Sequence, residues 1–328
     1  MKTEWPYTVE SKKTLLTTAM KQGLIILCYL FYAACAQAGM PLKIGVLLIE
    51  DAVPLYVAEQ EAFFAGENIE VELIPFLSAL ERDSALAAAA IDGAITDPMG
   101  AILFDKGRGM LKITSLALGK TSSEGIFAVL ASPKSSIKEV GDLKNVAIAI
   151  SNATIIEYVT ERLLENHGFT SEEIKTIEVK KMPIRMQMLL SDSVDAATLP
   201  EPLASIAVAG GARLIVSDAV SKESLSQTVM VFRTKVLDER KNEVAAFFRA
   251  LQKGISAINT QPETYRELFV EKGRIPPFLA REYVIPQYPH PEPFSRSLYD
   301  PVVQWLVEKK LVEPLPYETM VSTDFRGE

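Results

Sequence analysis

The sequence predicts an α/β protein of two lobes, each a mostly parallel sheet flanked by helices, joined by a double-crossing hinge. Three observations predict it. Short apolar strands alternate with segments of helical periodicity, the pattern of parallel strands joined by right-handed crossovers. The alternation falls into two sets, residues 42–116 and 146–216, which implies two sheets. Two extended apolar segments, Gly125–Leu130 and Thr228–Phe232, flank the second set, so the chain enters and leaves the second lobe by separate crossings.

The elements follow in order. Leu42–Ile49 is a nearly continuous apolar run, as a strand covered on both faces requires. Pro54 opens a helix whose Leu55, Ala58, Ala62 and Phe63 share one face and whose end is marked by Gly66. Ile69–Ile74 alternates like a strand with one wet face, completing a βαβ unit. The rhythm continues with a helix over 82–90, a strand at Gly93–Thr96, a helix over 98–106 and a strand at Leu111–Leu116. In the second set, strands at Val146–Ile150, Ile177–Val179, Ala196–Leu199 and Arg213–Val216 alternate with helices over 155–166, 184–190 and 203–209. After the second crossing, helices over 243–258 and 263–272 lead into a proline-punctuated tail.

The chain has 328 residues with Lys+Arg 34, Asp+Glu 42 and net charge -8, but only two cysteines and two histidines. That length accommodates two domains. The acidic balance argues against a nucleic-acid or anionic-lipid surface, which needs a broad basic face. Two closely spaced cysteines cannot staple a fold, and no Cys or His cluster is available for a metal. We therefore expect neither metal nor cofactor.

Lys21, an apolar run from Gly23 to Ala36 and the small-residue ending Ala36-Gln37-Ala38 form the pattern of a secretory signal peptide spanning residues 1–38. The run is about fourteen residues, short of the ~20 that span a bilayer. A second reading takes Tyr32-Ala33-Ala34-Cys35 as a lipobox with Cys35 lipid-modified, although Tyr32 stands where such boxes usually carry Leu. Met20-Lys21 would open a compact leader by itself, which leaves translation of residues 1–19 open. Without residues 1–38 the chain keeps 30 basic and 40 acidic residues, net −10, and no cysteine, which suits an oxidising compartment. The expected division is a first lobe of residues 39–130 plus 226–328 and a second of 131–225.

The chain resembles the type II periplasmic solute-binding proteins of ABC importers, in the branch for nitrate, sulfonates, taurine and thiamine-precursor pyrimidines. The resemblance is carried by Lys43-Ile44-Gly45, by Pro54-Leu55-Tyr56-Val57-Ala58 and by Asp92-Gly93-Ala94-Ile95-Thr96-Asp97. Asp142-Leu143-Lys144, the segment from Val194 to Pro202 and Trp305–Leu311 carry the rest, so that it covers residues 41–315. It implies a periplasmic protein that captures a small solute in the inter-lobe cleft and delivers it to an inner-membrane ABC permease. It implies no chemistry on the solute and no catalytic residue. We expect a monomer without nucleic-acid partners.

Ligands of open α/β sheets sit beyond the carboxyl ends of the strands, against helix N-termini. Four loops meet that condition. The first holds Glu50 and Asp51, ahead of Tyr56 on the following helix, and Asp51 could equally cap that helix. The second holds Thr96 and Asp97, the latter also a natural N-cap before Pro98. The third holds Ser151, Asn152 and Thr154, where Thr154 and Glu157 fit a capping box. The resemblance implies that this loop contacts ligand. In the fourth, Glu201 stands between Pro200 and Pro202, with little backbone freedom. Tyr56, Phe76 and Phe127 are candidates for stacking on a flat ligand or for the core, and neither His167 nor His290 looks like a metal ligand.

Glu50, Asp51, Asp97 and Glu201 favour a neutral or amine-bearing solute such as a thiamine-precursor pyrimidine. Lys120 and Arg185 are the nearest basic candidates, and burying an anion among carboxylates would cost several kcal/mol. A sulfonate, taurine or nitrate ligand held by helix N-termini is the alternative. An enzyme of thiamine-pyrimidine or menaquinone biosynthesis, similar in fold, is the alternative of another class. The fungal thiamine-pyrimidine type uses a cysteine-rich segment and a pocket histidine, whereas this chain has no cysteine after residue 38 and no histidine in the four loops.

Overall fold

A computed structural model describes residues 40–325. The leader, with cleavage at Ala38 or lipidation of Cys35, lies outside the described residues. Among those described, no helix is long and apolar enough to cross a membrane.

The strands are β1 (Leu42–Leu47), β2 (Val71–Phe76), β3 (Gly93–Thr96), β4 (Leu111–Leu118), β5 (Phe127–Ala131), β6 (Ala147–Ile150), β7 (Lys175–Glu178), β8 (Ala196–Pro200), β9 (Arg213–Ser217) and β10 (Thr228–Arg233). They form two five-stranded sheets, ordered β2-β1-β3-β10-β4 and β7-β6-β8-β5-β9. In the first, β1 runs parallel to β2 and β3, while β10 is antiparallel to β3 and β4. The second repeats the plan, with β6 parallel to β7 and β8 and with β5 antiparallel to β8 and β9. The two sheets thus share one topology although their sequences do not repeat.

The two crossing segments are themselves strands. β5 enters the second sheet between β8 and β9, and β10 returns between β3 and β4. The second sheet therefore begins at Phe127, ahead of the expected boundary at residue 131. Exchanging one antiparallel strand in this way ties both crossings into hydrogen-bonded ladders.

The helices used below are α1 (Val53–Gln60), α2 (Ala79–Ala87), α3 (Pro98–Asp105), α4 (Ile155–Glu165), α5 (Met182–Leu190), α6 (Leu203–Ala209), α7 (Lys241–Thr260) and α8 (Arg296–Glu308). The helix expected to run from Pro54 to Gly66 breaks at Ala62, which adopts a left-handed φ of 55° before a short turn at Phe63–Gly66. The break lets Phe64 stack on Phe247 of α7, with ring centroids 5.6 Å apart. α8 lies in the proline-punctuated tail, where no helix was expected. Its Trp305 is buried, donates from Nε1 to Glu161 Oε2 of α4 at 2.9 Å, and meets Tyr158 edge-on at 5.7 Å. α8 thereby fastens the tail to the second lobe.

The crossings lie side by side. Ser224 Oγ donates to the Gly119 carbonyl at 2.7 Å, and the Ile126 N–H donates to Ser226 Oγ at 3.3 Å. Gly119 has φ +84°, and a Cβ there would stand 2.4 Å from the Ser226 carbonyl oxygen. A left-handed L-residue costs ~1–2 kcal/mol before any overlap. Gly119→Ala is therefore expected to destabilise by more than about 2 kcal/mol. A thermal midpoint within a degree of wild type would contradict that reading of the hinge.

Candidate functional site

The carboxyl ends of both sheets face one another across a cavity of about 40 Å³. That is room for a few waters at ~10–15 Å³ of free space each, and far below the ~300 Å³ of an ordinary ligand pocket. A solute of ordinary size would need more room than this cavity offers.

The first-lobe wall holds most of the polar and charged groups, beside the apolar Leu47, Ile49 and Ala79. It presents Asp51, Arg82, Thr96, Asp97 and Thr228. Asp51 lies in a 3-10 turn, Glu50–Ala52, and caps nothing: the N-cap of α1 is Ala52, without a side-chain bond. Asp51 is buried and its Oδ1 has no hydrogen-bond partner among the described residues. The Thr228 hydroxyl, which faces Asp51, likewise lacks a bond of good geometry. Burial pushes the Asp51 carboxyl up to about 7 against the pull of the Arg82 guanidinium. Asp97 does cap, its Oδ1 accepting from the Gly100 N–H at 2.7 Å, with Pro98 at the first helical position as expected. Burial also raises its pKa, again opposed by Arg82.

Arg82 is the largest group missed by sequence reasoning. It is 2 % exposed on α2, donating from Nη2 to Thr96 Oγ1 at 2.6 Å and from Nη1 to the Ile95 carbonyl at 3.1 Å. An ion pair to Asp83 at 2.8 Å completes its coordination. The second lobe has a counterpart in Arg185 on α5, fully buried, whose Nη1 donates to the Thr198 carbonyl at 3.0 Å. Both bonds reach a carbonyl 13 residues onward, on the central strand that follows each helix. Arg185 spends its remaining bonds on the Val179 carbonyl and does not line the cavity. Lys120 pairs with Glu292 at 2.8 Å and is likewise absent from the wall.

The second-lobe wall is mainly apolar, with Ile126, Phe127, Ile155, Ile156, Met182 and Pro200. Its polar groups are Ser151, Thr154 and the half-exposed Lys180. Thr154 caps α4 through its Oγ1, which accepts from the Ile156 N–H at 3.2 Å and donates to the Ser151 carbonyl at 2.7 Å. Glu157 reaches past the cap to the Ala153 N–H at 2.6 Å, so the helix end already has a carboxylate of its own.

Of the sequence-derived candidates, Asp51, Thr96, Asp97, Ser151 and Thr154 thus surround one cavity. Asn152 points to solvent in the turn before α4. Tyr56 is buried away from the cavity, its ring covered by Lys272 with Nζ 5.1 Å from the centroid, because its position on α1 faces the first lobe's helical layer. Phe127 does line the wall, whereas Phe76 does not.

Glu50 and Glu201 do not line the cavity, although their chain neighbours Asp51 and Pro200 do, and they are joined through a residue the sequence did not suggest. Tyr283 Oη lies 2.8 Å from Glu50 Oε2 and 3.2 Å from Glu201 Oε2. Glu201 also accepts from the Ser205 N–H and hydroxyl of α6 at 3.1 and 3.0 Å. Burial pushes Glu50 up to about 8, reinforced by the charges of Glu201, Asp51 and Asp218, while the bond to Tyr283 works the other way. Burial raises Glu201 as well.

For Thr228, which sequence reasoning missed, and for Phe127, named only as an aromatic, the placement at the wall needed the topology. Thr228 and Phe127 start β10 and β5, and because both strands are antiparallel, their amino ends lie among the carboxyl ends of the others. Lys180 follows β7 and is reached by the same rule that found the four loops. Tyr283 has no local signal, since its partner Glu50 is 233 positions away.

The NMT1/THI5-like family model matches residues 50–265. No curated protein matches the chain significantly in sequence. Among solved structures, the ligand-binding component of an ABC-type import system from Staphylococcus aureus, with zinc bound, is similar at TM-score 0.70 and 17% identity, over 87% of this chain and 97% of that one. The alkanesulfonate-binding protein SsuA from Xanthomonas axonopodis pv. citri, bound to MOPS, is similar at 0.71 and 16%, over 84% and 95%. A mutant of the desulfurization enzyme DszB, in complex with biphenyl-2-sulfinic acid, is similar at 0.63 and 13%, over 87% and 97%. The fold is accordingly that of the periplasmic binding proteins, a scaffold these structures show with different activities. From its match over residues 50–265, this two-lobed chain belongs to the NMT1/THI5-like family.

Proposed function

We propose that the protein is the extracytoplasmic solute-binding component of an ABC importer, closing its lobes on a small donor-bearing molecule and handing it to a membrane permease. An amine-bearing solute or an aminopyrimidine of the thiamine-precursor type fits best. The carrying observation is Asp51 Oδ1, a buried carboxylate oxygen with no partner among the described residues, set with the Thr228 hydroxyl on a charged wall opposite an apolar one. A buried carboxylate oxygen without a protein donor costs stability, and a ligand N–H or cation would recover that cost. Phe127, Met182 and Pro200 across the cavity suit the flat apolar face of a heterocycle. Asp97, Thr96, Ser151 and Thr154 complete the site, while Glu50 and Glu201 lie outside its lining.

The sulfonate reading draws support from Arg82 and Lys180 on the walls and from the sulfonate-binding neighbour. Against it, Arg82 already answers to Asp83 and to the nearby Asp51 and Asp97, and Glu157 occupies the Ala153 N–H before α4. An enzyme reading has the desulfurization fold-neighbour in its favour, but among the described residues the cavity wall holds no cysteine or histidine. Export, with residues 1–38 as leader, follows from the same reading.

A thermal-shift screen with amines, aminopyrimidines, taurine, alkanesulfonates and nitrate tests the assignment. A ligand at 100 times its dissociation constant adds ~2.7 kcal/mol to the stability of the folded chain. Stabilisation by amines or aminopyrimidines is expected; a response to sulfonates or nitrate alone would overturn the donor-bearing assignment.

A further inference from the structure

Tyr283 bonds to two carboxyl groups with a hydroxyl that owns one proton. It can donate to one carboxylate; the second short contact is a bond only if the other carboxyl carries a proton and donates it to the phenol oxygen. The three groups come from separate parts of the chain. Glu50 follows β1 of the first lobe, Glu201 follows β8 of the second, and Tyr283 comes from the tail, where its ring packs on Phe269 at 5.5 Å. Tyr288 holds the Glu50 backbone in place, its hydroxyl donating to the Glu50 carbonyl at 2.8 Å.

We propose that Glu50, Tyr283 and Glu201 form a proton-dependent clasp between the lobes: with one proton held on the carboxyl pair the clasp is made and the cleft is shut, and loss of that proton breaks it. The groups that act on Glu50 from the surrounding elements are Tyr283 and Tyr288 of the tail, Asp51 of its own turn, Glu201 beyond β8 and Asp218 in the turn after β9. The carboxylates among them are all acidic charges that repel a second anion. Asp218 is itself anchored, its Oδ1 accepting from the Phe127 N–H at 2.9 Å. Glu201 cannot swing aside to relieve the repulsion without giving up both Ser205 bonds. Separation of the lobes is then the remaining way to part the charges. The elevated pKa of Glu50, about 8, puts the release at mildly alkaline pH.

The clasp is independent of which solute is bound, and its test needs none. Spin labels on Met110→Cys and Leu214→Cys, exposed positions of opposite lobes, in a chain with Cys28 and Cys35 replaced by Ser, report the inter-lobe distance by pulsed electron resonance. The distance is expected to lengthen as pH rises from 7 to 9.5 in the otherwise wild-type chain. Glu50→Gln keeps a donor for the phenol oxygen without a proton to lose, so its distance should stay short across that range. Tyr283→Phe should be long even at pH 7. A wild-type distance unchanged to pH 9.5, the same transition in Glu50→Gln, or a short distance in Tyr283→Phe at pH 7 would each overturn the proposal.

Discussion

Asp51→Asn should yield a protein that is more stable at pH 8 and binds its solute ~10–150-fold more weakly, the range of a lost hydrogen bond to a charged group at ~1.5–3 kcal/mol. The two effects share one cause. Asp51 is 5 % exposed, its Oδ1 is unpartnered among the described residues, and its neighbours Glu50 and Asp97 are acidic. The folded chain therefore carries an under-bonded carboxylate whose removal relieves ~1–3 kcal/mol. The same oxygen is what a ligand N–H would meet. If the ligand is a cation, binding favours ionised Asp51, so affinity should fall about tenfold per pH unit below the folded value of about 7. Isothermal titration calorimetry of wild type and variant between pH 5.5 and 8, with the ligand found by screening, checks both statements. An unchanged dissociation constant in Asp51→Asn would remove Asp51 from the site, and tighter binding in the variant would indicate an anionic ligand.

Stability should fall as pH rises from 5 to 8, opposite to the trend set by paired carboxylates. Glu50, Asp51 and Asp218 are raised from 4.5, 3.8 and 3.8 to about 8, 7 and 6, each chiefly by burial. In that window the folded chain holds more protons than the unfolded one, so the free energy of unfolding decreases with pH. Each unit of difference is ~1.4 kcal/mol per group, and the three together amount to several kcal/mol. Below about pH 4 the sign reverses. Glu81 and Glu173, lowered first by bonds to Lys181 and Lys144, and Asp142, lowered by backbone N–H groups, lose those interactions when protonated. A maximum near pH 5 results. Urea unfolding at fixed ionic strength would show it, and a flat or rising profile from pH 5 to 8 would refute the buried-acid account.

Much of this was legible from residue order. The strand and helix rhythm predicted both sheets, since a period of 2 or 3.6 in apolar residues reports burial directly. The rule that ligands lie beyond strand carboxyl ends located Asp51, Thr96, Asp97, Ser151 and Thr154, all of which the fold brings to one cavity. The rule failed where strand direction was unknown: β5 and β10 run against their neighbours, so Phe127 and Thr228 entered the wall from their amino ends. Tyr56 misled because an aromatic on a helix beside the site can face either the cleft or the helical layer behind it.

By itself the sequence determined the two-lobed α/β class, the family likeness and the acidic character of the loops around the cleft. Those depend on local periodicity and on which side chains follow each strand, quantities carried by neighbouring residues. Only the tertiary structure decided the charge balance of the site. It set Arg82 behind Thr96, left Asp51 Oδ1 without a bond from the described residues, and brought Tyr283 to two glutamates distant from it in the chain. The physical reason is that desolvation and hydrogen-bond partnership are properties of packed neighbours, and here those neighbours come from both lobes and the tail.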